Sequence, residues 1–485
     1  MTGWIILAIV GLFVAITCVR ASLFTARAEP PRPLPEEEAD ELRASTHLRG
    51  AIQIPTVSDP DDEKVDWAQF ARFHAFLEES YPRIAQSLTR EVIPRASLLY
   101  RWEGRNPGLP SIALLAHQDV VPANEDNWEH PPFSGHDDGE YIWGRGSVDM
   151  KNHLICVMEA VETLLEEGFT PERDVYLLFG HDEEVVGSEH AGARSLRLAL
   201  EERGVHRLES TLDEGGAMLD VRVKGILEAV LTGIGISEKG YADFEISLSA
   251  KGGHSSQPPD HSALGEMALV IRDLERHQFR AKMLPLMSEL LDTAGRRLPY
   301  WLRLVMVNHK LLRPVLLAVM KKIPPAACMI RTTTAVTQAQ GSPAANVLPS
   351  KASIVANFRM MPGTTIADVE KHIRRVVRNK RIKVKLLKAN EASPVSSTQA
   401  APYQLLKGLV RDSQPQAVIA PFLVMGGTDS HHYDPICANC YRFSPFLLDA
   451  GLLLCTHAAN ERLPVAALGG GVRFFKRYIR QAGGE

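Results

Sequence analysis

The sequence has no excess of basic residues, and this excludes one broad class of partner. Its 485 residues include 54 Lys and Arg against 58 Asp and Glu, a formal net charge of −4. A chain that binds nucleic acid usually carries a basic face or arm, whereas the Lys and Arg pairs here are scattered and are interpreted as solvated surface. Hydrophobic residues make up 45% of the chain, which is ordinary for a globular protein. We therefore expect no nucleic-acid partner.

Cysteine is also scarce. Six cysteines over this length are too few for a disulfide scaffold. Two of them, Cys437 and Cys440, form a CxxC pair, but a zinc knuckle needs a second pair and the sequence has none. A structural role is the favoured interpretation of this pair, with a redox or disulfide role as the alternative.

The N-terminus lacks the basic residues that usually precede the apolar part of a signal peptide. The run Trp4–Val19 is uncharged and slightly shorter than the roughly 20 residues that cross a membrane, although residues 21–24 extend it. Three interpretations stay open: an uncleaved membrane anchor, a signal peptide with a poor cleavage site at 26–28, and a buried core helix. The anchor is slightly favoured, and the flanking charges are too weak to fix its orientation. The chain is thus predicted to be membrane-anchored or secreted through residues 1–28.

The length of the chain predicts two domains, because one hydrophobic core rarely serves so many residues. A Pro-rich acidic linker begins at 29, and strands then alternate with helices, a rhythm typical of an α/β sheet. The stretch 240–390 instead combines alternating, half-exposed strands with two helices, the pattern of an inserted α+β domain. We therefore predict one α/β domain built from 29–239 and 391–485, with a second domain inserted at 240–390.

Within the predicted insertion, the stretch Met283–Pro325 is unusually apolar and is predicted to be helical. One interpretation makes these helices the core of the second domain. The other makes them a wall for a long acyl chain or a surface that meets a membrane.

Acidic residues and histidines gather in five places, most of them directly after a predicted strand. Ligands of α/β sheets bind beyond the carboxyl ends of the strands, so this placement is a first functional signal. Taken singly, each cluster has an ordinary explanation, such as a helix cap, an acidic turn or a surface histidine. The clusters are His117–Asp119, Gly144–Lys151, His181–Glu184, Leu212–Gly216 and Thr456–Glu461.

A metal site, by contrast, predicts all five clusters together. His117 offers a neutral imidazole, and Asp119 points the same way in an extended chain, where it could orient that ring. Of the adjacent Glu183 and Glu184, one can ligate a metal while the other faces a bound water. Two neighbouring Zn²⁺ ions need several nitrogen and oxygen ligands, and a shared carboxylate is a natural bridge between them.

In their order along the chain, the motifs resemble one known family. They are HQDVVP, GRGSVDMK, HDEEVVGSEHAG, LDEGG, KGGHSSQPP, NVLPS with ANFRMMPG, GGTDSHHY and HAANE. The set is similar to the di-zinc metallopeptidases that include aminoacylase, carboxypeptidase S and bacterial glutamate carboxypeptidase, and the resemblance covers nearly all of 45–480. Carboxypeptidase S and the secreted N-fatty-acyl-amino-acid hydrolase/synthase form the most similar branch, because the apolar N-terminus and the apolar insertion fit it.

The resemblance implies two Zn²⁺ ions per active site and a ligand for each position. His117 resembles a ligand of the first metal, and Asp149 resembles the carboxylate that bridges both, often followed by a cis peptide. Asp213 would complete the first set. Glu184 and His457 resemble the ligands of the second metal.

The same resemblance implies roles for residues that hold no metal. Glu183 resembles the general base, and Asp119 resembles the partner that orients the histidine ligand. His254 of the inserted domain would stabilise the oxyanion, sometimes in the active site of a partner subunit. Asn346 and Arg359 match positions that hold the carboxylate of the substrate.

The implied fold is α/β: a mixed-sheet catalytic domain with helices on both faces, plus an inserted α+β, ferredoxin-like lid or dimerisation domain. The implied reaction is metal-dependent hydrolysis of the amide bond of N-acyl amino acids or of C-terminal peptide bonds, with N-acyl amino acid formation as its reverse. One departure is His431, which stands where an arginine is common in the family. It leaves open the substrate detail near that loop.

Two alternative functions are weaker. A small-molecule deacylase of the acetylornithine deacetylase or desuccinylase type would lack the apolar N-terminus. A catalytically inactive binding protein of the same fold would have lost a ligand or the base, and all of them are present here.

Overall fold

A computed structural model describes residues 2–25, 37–185, 192–224, 227–296 and 298–484. The predicted cleavage site at 26–28 and most of the predicted linker, 29–36, lie outside the described residues. The helices are α1 Thr2–Leu23, α2 Glu41–Ile52, α3 Trp67–Ser80, α4 Pro82–Ser87, α5 Lys151–Glu166, α6 Gly192–Glu202, α7 Ala263–Arg276, α8 Pro285–Gly295, α9 Tyr300–Met306, α10 Arg313–Met320, α11 Pro324–Cys328, α12 Ile366–Val376, α13 Ala401–Ser413, α14 Ala450–Leu454 and α15 Val465–Gly483.

The strands follow the alternation that the sequence predicts, and short 3₁₀ turns lie at Asp62–Lys64 and Asp429–Tyr433. They are β1 Thr89–Ile93, β2 Ser97–Trp102, β3 Ser111–His117, β4 His136–Asp137, β5 Tyr141–Trp143, β6 Val175–Gly180, β7 Leu208–Asp213, β8 Ala217–Val223, β9 Leu227–Glu238, β10 Gly240–Ser249, β11 Gly253–His254, β12 Thr333–Gln340, β13 Val347–Leu348, β14 Lys351–Met360, β15 Ile382–Asn390, β16 Val418–Val424, β17 Cys440–Arg442, β18 Leu447–Leu448 and β19 Arg462–Pro464.

The larger sheet is mixed, in the order β1-β2-β6-β3-β7-β17-β9-β8-β18, and β16 pairs with β9. Its centre, β6-β3-β7, is parallel, and every residue of β3 and β6 is buried. Alternate side chains of β3 enter two different cores. Leu114 packs with α5 and α15 on one face, and Leu115 packs with α6 on the other. Helices therefore cover both faces, as the predicted α/β mixed-sheet fold requires.

The smaller sheet is antiparallel, in the order β12-β14-β10-β15. Its strands and the helices α7 and α12 follow the β-α-β-β-α-β order of a ferredoxin-like unit. Alternate residues of β10 are buried, and they form a core with one face of each helix. The first strand of this sheet along the chain, β10, begins at Gly240, and the last, β15, ends at Asn390. The division of the chain at those two points stays a prediction.

The apolar stretch 283–325 is helical as predicted, and it forms α8 to α11. Its position differs from the interpretation that made it the core of the second domain. Helix α8 packs against β16 of the larger sheet, and Leu286 belongs to the core of the larger domain. The first helix of the stretch, α8, therefore rests on the larger sheet and not on the smaller one.

Helix α1 packs against α9 near its own C-terminal end. The Asn308 side-chain amide donates to the carbonyl of Thr17 at 3.1 Å, and the Tyr300 hydroxyl donates to that of Cys18 at 3.3 Å. Most side chains between 7 and 14 are exposed, so α1 is not the buried core helix that was one of the three interpretations.

Over the residues that the structure describes, no helix is both long and apolar enough to span a membrane.

The core of the smaller domain gives a first prediction. Phe358 is fully buried, with ring centroids of Phe244 and Phe279 at 5.9 and 6.3 Å. Replacing it (Phe358→Ala) should cost about 3–5 kcal/mol of unfolding free energy, because it leaves a cavity. Hydrogen exchange should show faster opening of β10 and β14. The control Val355→Ala, half-buried on the same strand, should cost far less, and equal losses would contradict this account of the core.

Candidate metal centre and substrate cleft

Three of the predicted clusters meet because they follow neighbouring parallel strands. His117 is the last residue of β3, and the turn that carries Glu183 and Glu184 follows β6 directly. Asp213 is the last residue of β7, on the other side of β3. Carboxyl ends of parallel strands lie at one edge of a sheet, so the fold brings these side chains together. The end of the third cluster's motif, 186–191, lies outside the described residues.

Asp149 reaches the same place from the loop between β5 and α5. Its peptide bond to Met150 is cis, as the resemblance implies. The N-cap of α5 is Met150, without a side-chain cap, so the helix-cap explanation of Asp149 does not hold. One carboxylate oxygen lies 3.1 Å from Nε2 of His117, and the other lies 3.0 Å from Nε2 of His457.

Two sets of side chains present their ligand atoms within 4.8 Å of one another, and His117 belongs to both. The first set adds Asp149 and Glu184, and the second adds Glu183 and Glu214. Nε2 of His457 lies 3.0 Å from Oε1 of Glu184, at the rim of the first set. The five clusters found in the sequence therefore form one centre.

At the position of the last expected ligand, Asp213, the neighbouring Glu214 lies closer to His117. Oε1 of Glu214 lies 3.3 Å from Nε2 of His117, whereas Asp213 belongs to neither set within the described residues. The Oδ1 of Asp213 accepts the backbone N–H of Glu214 at 2.9 Å, and its buried Oδ2 has no partner in the part of the chain that is described. Adjacent residues at a strand end point in different directions, so only one of the two acids can face His117.

Asp119 ties the histidine to the neighbouring turn. Its carboxylate is fully buried and accepts the backbone N–H groups of Glu183 and Glu184 at 3.2 and 3.1 Å, and the Ser58 hydroxyl at 2.7 Å. Nδ1 of His117 lies 2.9 Å from the backbone carbonyl of Asp119, which can only accept. Nδ1 therefore carries a proton in either state of the ring, and Nε2, which faces the carboxylates, is the nitrogen that would bind a metal once the ring is neutral.

Glu461 supports the Asp149 loop, and the sequence-based site omitted it. The buried carboxylate accepts the backbone N–H groups of Gly146, Val148 and Asp149 at 3.0, 2.8 and 3.2 Å. Its other oxygen accepts from Nη1 of Arg145 at 2.6 Å. Both partners stand in motifs that the sequence displays. Their contact joins positions more than 300 residues apart, so only the fold reveals it.

The carboxylates of the centre carry more negative charge than the surrounding protein balances. Burial and the neighbouring acids raise the pKa of Glu183 well above its ordinary value, raise that of Glu184, and raise that of Glu214 to about 8. Burial opposes protonation of His117, but hydrogen bonds to the surrounding carboxylates hold its pKa well above normal. A bound cation would relieve this crowding. Imidazole nitrogen and carboxylate oxygen are ligands that Zn²⁺ accepts, so the residues present fit a metal site.

Two hollows of different chemistry open from the centre. A cavity of about 520 Å³ has a largely apolar wall supplied by α8, β8, β9 and β16. A cleft of about 330 Å³ on the other side is polar, with Lys239, Tyr241 and Arg359 among its lining residues. Both hollows share Glu183 and His457 with the loop at Gly426–Thr428. The apolar wall includes Leu219, Leu231, Leu290, Val418, Ala420 and Phe422.

Two of the predicted site residues lie away from the candidate metal centre of this chain. His254 is exposed on the short ribbon of β11 and β13, where its Nδ1 contacts the Ser256 hydroxyl at 2.8 Å. The Asn346 carbonyl accepts the backbone N–H of Ser255 at 3.2 Å. Neither residue lines the cavity or the cleft. The structure therefore brings His254 and Asn346 to each other, and it does not bring them to the metal centre of their own chain.

His431, the departure from the family pattern, lines the cleft. Its Nδ1 donates to the carbonyl of Thr428 at 2.6 Å and lies 3.2 Å from the Glu238 carboxylate. Glu238 in turn accepts from the fully buried Arg442 at 2.8 Å. The histidine thus anchors the loop that separates the two hollows.

Comparison with known proteins gives three kinds of match. The family model of peptidase family M20/M25/M40 matches residues 113–481. A carboxypeptidase S-like protein of Dictyostelium discoideum is 36% identical over 88% of this chain and 82% of its own. The N-fatty-acyl-amino acid synthase/hydrolase of Mus musculus is 32% identical over 93% and 90%. Carboxypeptidase S of Saccharomyces cerevisiae is 32% identical over 89% and 83%.

Solved structures share the fold. A metallo-carboxypeptidase of the M20 family from Sulfolobus solfataricus matches with a TM-score of 0.62 and 16% identity, over 91% of this chain and 98% of its own. The di-peptidase Dug1p of Saccharomyces cerevisiae matches with a TM-score of 0.64 and 14% identity, over 97% and 99%. Both likenesses extend over almost the whole of each chain.

The position of Glu461 yields a prediction about metal affinity. Glu461→Gln removes the charge that holds the Asp149 loop, and we expect metal affinity to fall about 10–100-fold. Competition titration with a zinc chelator measures it, and the melting temperature checks the fold. The control Glu129→Gln alters an exposed acid that contacts Asn460 in the neighbouring loop and should leave affinity unchanged. A folded Glu461→Gln protein with wild-type affinity would remove this role.

Proposed function

Since the chain belongs to peptidase family M20/M25/M40, we propose that it hydrolyses the amide bond of amino acids that carry a long N-acyl chain. The chain is a metal-dependent hydrolase of amide bonds. The predicted branch is confirmed, because carboxypeptidase S-like and N-fatty-acyl-amino acid hydrolase proteins are among its relatives. The finer substrate assignment rests on one observation: an apolar cavity and a polar cleft meet at Glu183 and His457.

The two hollows match the two halves of such a substrate. The acyl chain would lie in the apolar cavity, where each buried methylene contributes about 0.8 kcal/mol. The amino acid would lie in the cleft, with its carboxylate on Arg359. The guanidinium carbon of Arg359 lies 4.7 Å from the centroid of the Tyr241 ring, which supports it from one side. A guanidinium can bind a carboxylate through two parallel hydrogen bonds. The amide would then lie at the junction.

The proposed centre holds two Zn²⁺ ions. His117 and Glu214 would bind one ion, Glu184 and His457 would bind the other, and Asp149 would bridge them. Glu214 takes the place where Asp213 was expected, because its carboxylate faces His117. When bound, the ions supply a polarised amide carbonyl and a water of lowered pKa.

Glu183 is the proposed general base. It lines both hollows, so it faces the position of the amide from the metal side. It would take the proton of the attacking water and return it to the leaving amine. Asp119 orients the adjacent turn through two backbone N–H groups and so acts through its neighbours. A catalyst speeds both directions, so formation of N-acyl amino acids is part of the proposal.

His254 and Asn346 would act in a second copy of the chain. They lie together on an exposed ribbon of the smaller domain, which is the part predicted to form dimers. We propose a homodimer in which this ribbon completes the partner's site, with His254 stabilising the oxyanion.

Residues 1–28 would send the chain into the secretory route.

The proposed base gives the most direct test. Glu183→Gln should keep metal content, measured by inductively coupled plasma mass spectrometry, and lose about 10²–10⁴ in kcat. The matched control Glu125→Gln, an exposed acid of a surface loop, should keep both. Wild-type turnover by Glu183→Gln would show that another group is the base. Loss of metal would make it a ligand instead.

The cavity predicts a preference for long acyl chains. Rates on acetyl- and oleoyl-amino acids should differ at least tenfold in kcat/KM, since each buried methylene is worth up to about fourfold. Leu290→Trp, which fills part of the cavity from α8, should reduce the oleoyl rate far more than the acetyl rate. Its control is Leu291→Trp, half-buried on the same helix but outside the cavity lining. Equal rates on both substrates would contradict the substrate proposal.

A further inference from the structure

Helix α10 exposes apolar side chains where a helix of a globular domain normally buries them. Val315 and Val319 lie one turn apart on the same face, and they are 63% and 51% exposed. Leu311 before the helix and Ile323 after it continue the four-residue spacing, at 44% and 49% exposed. These four residues are called the α10 stripe. No part of the chain that the structure describes covers these four side chains fully.

The preceding helix adds two exposed aromatic residues. Tyr300 and Trp301 begin α9 and are 46% and 58% exposed. Tyrosine and tryptophan are enriched where protein meets the headgroup level of a bilayer, because one part of each ring is apolar and another is polar.

Positive charge surrounds these apolar residues. The stretch 283–325 contains seven Lys and Arg but only two Asp and Glu, a net charge of +5, although the whole chain carries −4. The rest of the chain therefore carries −9. Four of the basic residues are exposed and stand directly beside the stripe in sequence or between its members: Lys310, Arg313, Lys321 and Lys322.

The charge distribution decides which partner fits. A second copy of the chain that bound through this stretch would place exposed Lys and Arg side chains against one another, and like charges oppose such an interface. An anionic lipid surface supplies both missing partners, an apolar layer for the stripe and negative headgroups for the Lys and Arg side chains. A polybasic segment interspersed with aromatic and aliphatic residues is typical of proteins that lie on such a surface.

The same stretch is connected to the substrate cavity. Helix α8 carries Leu290 and Ala294 into the cavity wall, and it packs closely on α9, because Gly295 lies against Met306. Helix α1, whose exposed residues include Leu7 and Leu12, also packs on α9. Helix α9, which begins with the two exposed aromatic residues, is therefore packed directly on the helix that lines the cavity.

We propose that residues 283–325 dock on anionic lipid surfaces, with the α10 stripe and the α9 aromatics in the headgroup region. The four exposed basic side chains beside the stripe bind the headgroup phosphates. Substrates with long acyl chains partition into lipid, so docking would place the cavity beside their source. The docking itself does not depend on the proposed reaction, and it is measured without substrate.

The test is flotation of the full chain with vesicles. Wild-type protein should float with vesicles of phosphatidylcholine that contain phosphatidylserine, and more weakly with phosphatidylcholine alone. Val315→Asp with Val319→Asp should weaken binding at least about tenfold, since charge replaces apolar contact. Lys321→Glu with Lys322→Glu should remove most of the preference for phosphatidylserine. Metal content and the melting temperature check that each variant is folded.

The matched control is Leu386→Asp with Leu387→Asp, because these residues of β15 are 43% and 44% exposed. This variant should bind as the wild type does. Three results would overturn the proposal: no binding by the wild-type chain, equal binding by the stripe variant, or equal loss in the control. A stripe variant that instead turns a dimer into a monomer in sedimentation analysis would assign the surface to a second copy.

Discussion

Negative charge concentrated around His117 is the constraint to which the rest of the centre is adapted. Three glutamates and an aspartate converge on one imidazole at the end of β3, and burial makes their ionised forms costly. A bound cation would offset this cost. Hydrogen bonds from the surrounding protein hold the members of this cluster in place: Asp119 fixes the 183–184 turn, and Glu461 fixes the loop of Asp149.

The larger sheet positions this charge, and the apolar stretch 283–325 supplies part of the cavity wall beside it. The parallel strands β6, β3 and β7 deliver side chains to one edge, as sheets of this class commonly do. Helix α8 lies in the stretch predicted from the sequence to belong to the inserted domain, yet it packs on β16 and lines the apolar cavity. Under the proposed function, different stretches of the chain would therefore supply the reacting groups and the selectivity for the acyl chain.

Much of the fold and of the candidate metal centre was predictable from the sequence, for physical reasons that differ from one residue to another. His117, Glu183 and Glu184 follow buried strands, so periodicity alone places them at the sheet edge. The choice between Asp213 and Glu214 depends on which side chain faces inward, and two adjacent acids give no pattern that decides it. The role of Glu461 could not be predicted from the sequence, because it depends on a contact with Arg145 that only the folded chain brings together. The position of the stretch 283–325 could not be predicted, because the composition of an apolar helix does not show which sheet it packs against.

Glu183 and His457 line both hollows. Under the proposed reaction, this arrangement also determines how the two products leave the site. The scissile bond would lie between two hollows, so its cleavage leaves one product in each. The fatty acid would retreat along an apolar route, and the amino acid would diffuse from a polar one. Neither product has to pass the other. Accumulated fatty acid would therefore compete for one half of the site only, and the reverse reaction would need both halves filled from opposite directions.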